Sequence, residues 1–167
     1  MTVEINAAGT ITGLQPNGIS SQPVFPGNVV QVVESVADTE TIITTTATTS
    51  TGLTTSITPS SASNKILVIA FESFTTFNSN IGAQMQISLR RNNSLAFAIS
   101  NLYSGSPVED INQPSVIIGI DSPNTTSEVT YDVATTMQQG TTERRFRYNG
   151  GFFGPGKSHI IAMEIAG

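Results

Sequence analysis

The chain has 167 residues, no cysteine, a formal net charge of −5 and only 11% charged residues. That length suits one domain with a short appendage. The acidity excludes a basic nucleic-acid footprint, and the missing thiols exclude disulfides and thiolate chemistry. No apolar run nears the ~20 residues of a spanning helix, so no membrane insertion is expected. MTVEINAAG lacks the basic and apolar regions of a secretory signal, so a place outside a cell would have to be reached by another route.

Residues 1–28 stand apart. Gly9, Gly13, Pro16, Gly18, Pro23, Pro26 and Gly27 break any helix and leave room only for very short strands. Yet Ile5, Ile11, Leu14, Ile19, Val24 and Phe25 are apolar, which a flexible linker does not need. The segment reads as an extended N-terminal arm lying on its own domain or on a neighbouring subunit. Ile11, Leu14, Ile19, Val24 and Phe25 are its candidate interface residues. The plainer alternative is a partly disordered leader.

From Val29 onward, short β-branched runs alternate with turn signals. The predicted strands are 29–36, 41–46, 53–58, 65–72, 83–91, 94–100, 115–121, 128–135, 143–148 and 158–165. No helical period lies between them, so residues 29–167 are predicted to form an all-β domain, an antiparallel β-sandwich of about 8–10 strands. The threonine-rich run TETIITTTATTSTGLTTSIT is read as a strand, a turn at Gly52 and a second strand. Ile42, Ile43, Leu53 and Ile57 anchor it, and its hydroxyls line a wet or subunit-facing surface. A disordered stalk would not need those anchors, a glycosylated one lacks a compartment, and an ice-binding ladder would need regular spacing.

KILVIAF is apolar on both faces and is predicted to be a central strand covered on both sides. VIIGI at 116–120 is a second candidate, with Gly119 allowing close backbone approach. Ala83, Met85, Ile87 and Leu89 alternate with polar residues, RNNS turns the chain, and Leu95, Phe97 and Ile99 are expected to share the buried face of the resulting hairpin.

Catalytic chemistry finds little support. The one histidine, His159, is expected on a strand face with Ile161, Met163 and Ile165. The acids are scattered, and Glu109–Asp110 lacks the DxDxDG context of a calcium loop. Phosphate cradles and nucleophile elbows have no motif here. No catalytic, cofactor-binding or metal residue is assigned, no cofactor is expected, and the chain is read as not an enzyme.

The most unusual cluster is ERRFRYNGGFFGPGK. Arg144, Arg145, Phe146, Arg147, Tyr148, Phe152 and Phe153 are the residue types enriched at interface centres, so they join the candidate interface. The plain alternative is a strand with Phe146 and Tyr148 on one face and Arg145 and Arg147 exposed. If the cluster is an interface, replacing Arg145 and Arg147 with Ser should leave folding intact but weaken assembly or binding.

GNVVQVVESV, the threonine-rich segment, LTTSITPSSASNKILVIAFES and the closing IIAMEIAG resemble a β-sandwich module of tailed-bacteriophage structural proteins, notably those of cyanophages and marine phages. The resemblance spans about residues 27–167 and is most specific over SITPSSASNKILV. It implies a jelly-roll-like, trimeric virion component without enzymatic activity, made in the host cytoplasm. Within that family the compact length and the arm point to a capsid decoration or cement protein, with the arm reaching the major capsid protein by strand addition. The alternative is a tail-fibre or receptor-binding protein contacting tail components and host surface glycans. A polysaccharide-active jelly-roll enzyme is the remote third reading.

Overall fold

The computed structural model describes residues 4–5, 11–12, 25–76, 83–104, 111–139, 143–147 and 156–167. Among them, regular structure is all strand. Two short strands, β1 (Glu4–Ile5) and β2 (Ile11–Thr12), pair with each other. Then follow β3 (Val29–Ala37), β4 (Thr41–Ile43), β5 (Thr49–Ile57), β6 (Lys65–Glu72) and β7 (Phe74–Thr76). Next come β8 (Ala83–Arg91), β9 (Leu95–Ser104), β10 (Ile111–Asn112) and β11 (Ser115–Asp121). The last are β12 (Val129–Gln139), β13 (Arg144–Phe146) and β14 (Ser158–Ile165).

The long strands form nested antiparallel pairs: β3 with β14, β5 with β12, β6 with β11, and β8 with β9 at the centre. One long hairpin, folded double, therefore yields two four-stranded sheets. The front sheet runs β11-β6-β14-β3 and the back sheet β5-β12-β8-β9, which is the jelly-roll arrangement. The sheets pack face to face, β3 and β14 against β5, and β11 against β8 and β9. A smaller side sheet runs β10-β7-β13-β4.

Period-two alternation builds the core. Ile66, Val68, Ala70, Ile160 and Ala162 point inward from the front sheet, facing Leu53, Ile57, Met85, Ile87, Leu89, Tyr131 and Val133 from the back. Burying each large aliphatic side chain contributes roughly 1.5–3 kcal/mol. Asn92 and Asn93 take φ of 50° and 58°, and the Ser94 amide bonds the Arg91 carbonyl at 3.1 Å. That is the type I′ turn a tight hairpin prefers. Gly119 leaves room for Phe97, whose ring would lie 2.7 Å from an added Cβ. Phe97 in turn stands edge-on to Tyr131, with centroids 5.5 Å apart.

Three expectations are corrected. Gly52 is not a turn between strands; it lies inside β5, with φ of +84°. There it forms a bulge, since Asp132 pairs Thr54 whereas Ala134 pairs Ser50. The chain instead turns between β4 and β5. Thr51 and Thr55 consequently face the interior, where Thr51 bonds the Val133 carbonyl and Thr55 meets Ser35. Second, Phe97 and Ile99 do not share the buried face. The β8–β9 register shifts where Leu89 pairs Ala98 and Arg90 pairs Ala96, and Ile99 stands 55% exposed. Third, β6 is central but not covered twice, because Phe71 on its outer face is exposed and Leu67 and Ile69 are only half-buried. VIIGI likewise lies on an edge strand, with one face bare.

Candidate functional site: an outer sheet face and two buried carboxylates

The arginine cluster serves the interior. β13 lies between β4 and β7, and alternation buries Arg144 and Phe146. Beyond the strand Arg147 adopts φ of 57°, which turns its side chain inward against the expected exposure. Its guanidinium donates to Glu72 Oε1 at 2.6 Å, to the Thr39 carbonyl at 2.7 Å, to Thr41 Oγ1 at 2.6 Å and to the Thr51 carbonyl. Arg147 thus clasps the segments around β4, β5 and β6. Burial pushes the Glu72 carboxyl up to about 7; the Arg147 charge and hydrogen bonds from Thr51 and Ser158 offset this only in part. Arg144 donates to the Thr45 carbonyl, and burial lowers its pKa to about 10. Arg145 is half-buried and pairs with Glu143 at 2.8 Å and Glu40 at 3.7 Å. Arg147 is buried rather than exposed, and replacing it would strip a buried carboxylate of its cation, so its loss is now expected to destabilise the fold.

The recognisable loop SITPSSASN is organised by Glu164, the inward-facing acid near the end of β14. Its Oε1 accepts from the Ser60 amide at 2.7 Å, the Ser60 hydroxyl at 2.8 Å and the Asn64 amide group at 2.6 Å. Gln31 donates to Oε2 at 2.5 Å and also to the Thr58 carbonyl. Burial alone would raise this carboxyl, but the bonds from Asn64, Gln31 and Ser60 outweigh it and hold it below the ordinary range. The Gly167 amide closes onto Asn64 Oδ1 at 3.1 Å. This centre was not anticipated. Its signal is a charged residue at the buried parity of SHIIAMEI.

The outer face of the front sheet is apolar in register. One row across the four strands reads Val116, Phe71, His159, Val36. The next reads Ile118, Ile69, Ile161, Glu34, and the third Ile120, Leu67, Met163, Val32. Val116 and Ile118 are each 59% exposed and Ile120 61%; Val32 and Val36 stand out on the opposite edge. His159 takes its expected face beside Ile161 and Met163, and its Nδ1 lies 2.9 Å from Glu34 Oε1.

Of the other candidate interface residues, Phe25 is 62% exposed beside the turn at Gly27. Ile11 lies in β2, with its backbone paired to β1. Leu14, Ile19, Val24, Tyr148, Phe152 and Phe153, together with Glu109–Asp110, lie outside the described residues.

No family model matches the chain, and no curated protein matches it. Among solved structures it is similar to the tripod (BppUct-A-L) from the baseplate of bacteriophage Tuc2009. That alignment has a TM-score of 0.40 and 15% identity, covering 100% of this chain and 84% of that one. A likeness this distant assigns no function.

Proposed function

We propose that this chain is a non-enzymatic structural protein of a tailed-bacteriophage virion. In this reading it is a capsid decoration or cement protein that assembles as a homotrimer and reaches the major capsid protein through residues 1–28. A jelly roll hosts many functions, so the fold does not carry the proposal. What carries it is that the resembling segments form one structural unit. GNVVQVVESV supplies β3, KILVIAFES supplies β6 and IIAMEIAG supplies β14, three neighbours in one sheet. The intervening SITPSSASN is tied to the last of them through Glu164. The pieces of sequence that resemble the phage module are thus the pieces that hold one another in place.

The test is copy number in purified particles, by quantitative mass spectrometry against the major capsid protein. Hundreds of copies per particle are expected. A few dozen or fewer would move the protein to the tail, and absence would overturn the virion reading. Polysaccharide turnover abolished by a single Asp or Glu substitution would overturn the non-enzymatic one.

A further inference from the structure

We infer that the apolar outer face of the front sheet is buried against other copies of this chain. The inference deepens the oligomeric reading by naming the surface, and it replaces the arginine cluster as the contact. With strands ~4.8 Å apart and same-face residues ~6.8 Å apart, three rows on four strands cover on the order of 400 Å² in plan. Side-chain relief adds to that. A standard interface takes about 800 Å² of accessible surface from each partner, so the face supplies the apolar centre of one. A patch of this size matches the largest apolar patch of an ordinary protein surface, which is often a functional one.

The occupant follows from charge and shape. A chain of net charge −5 repels its own copies over most of its surface. Within these rows, however, Glu34 is the one acid, and it is bonded to His159. Two copies meeting here bring together one acid each, so like-charge repulsion is smaller than over the rest of the surface. The face is also a pleated sheet, the shape that packs against a second sheet inside this same sandwich. An anionic membrane surface fits poorly, since binding there is driven by basic residues.

The experiment is sedimentation velocity on the full chain over a concentration series. The wild type is expected to run as an oligomer. Ile118→Asp and Val116→Asp should weaken association about 30-fold or more, with unchanged circular dichroism. Ile99→Asp, on the outer face of the back sheet, should leave the mass unchanged. If an aspartate variant fails to fold, Ile118→Ser carries the test. A wild type that stays monomeric, or an oligomer indifferent to the front-face variants, overturns the inference. So does a monomer that instead floats with lipid vesicles. An oligomer insensitive to these variants leaves the virion reading standing, whereas absence from particles leaves this interface standing.

Discussion

The two sheets share one interior but differ on their outer faces. Across the front, the rows are built of valine, isoleucine, leucine, phenylalanine and methionine, with His159 and Glu34 as the polar exceptions. Across the back, Thr54, Asp132, Arg90 and Ala96 lie in register, followed by Ala134, Ser88 and Ile99, then Thr136, Gln86 and Asn101. There Arg90 reaches Asp132 at 2.5 Å, and Thr136 meets Thr48 at 2.7 Å. Asp132, Arg90, Ser88 and Ala134 of these rows are buried within the chain, whereas Val116, Ile118, Ile120, Val32 and Val36 of the front face stand exposed. The front face thus leaves apolar side chains uncovered by its own chain.

The largest expected effect breaks the back face. Asp132→Ala leaves the buried Arg90 guanidinium without its carboxylate, at a cost of about 3–5 kcal/mol in denaturant unfolding. A loss under ~1 kcal/mol would show that the pair is dispensable. Next is the interior end of the front sheet. The folded-state Glu72 carboxyl, raised to about 7 from 4.5, binds its proton more tightly than in the unfolded chain. Its contribution is fully present below pH ~4.5 and is lost as pH rises through ~7, on the order of 3 kcal/mol. The stability of the wild type relative to Glu72→Gln should fall across that window; a flat difference would contradict the shift. Glu164 has the opposite sign, so the wild type should lose stability relative to Glu164→Gln as pH falls through the carboxyl range. Gly119→Ala, which drives a methyl into Phe97, should cost about 1–3 kcal/mol in thermal unfolding. The smallest effect is on the front face itself: Val116→Ser should change monomer stability by no more than about 0.5 kcal/mol. A larger loss would mean that this face serves the fold after all.

Where turn residues flanked an apolar or β-branched run, strand ends were legible to the residue. Lys65–Glu72, Ala83–Arg91, Ser115–Asp121 and Ser158–Ile165 all match their predicted bounds. Glycine misled at position 52 because a positive φ serves a bulge as well as a turn. Arg147 misled because alternation was carried one residue past the strand end, where its φ of 57° reverses the side chain. The apolar outer face of β6 was visible in KILVIAF, but hydrophobicity alone does not say whether its cover comes from the same chain. The Glu164 centre unites residues a hundred or more positions apart, so no local pattern announced it. The arm and the aromatic end of the arginine cluster stay as sequence readings, outside the described residues.

The central claim is that copies of the chain meet through the front face, and a chain without cysteine offers a direct test. Ile118→Cys and Ile99→Cys place single thiols on the two outer faces, and their reaction rates with a bulky maleimide are followed as protein concentration rises. The account predicts that the thiol at position 118 becomes protected with concentration, while the one at position 99 reacts at a constant rate. Equal, concentration-independent rates at both positions would contradict it.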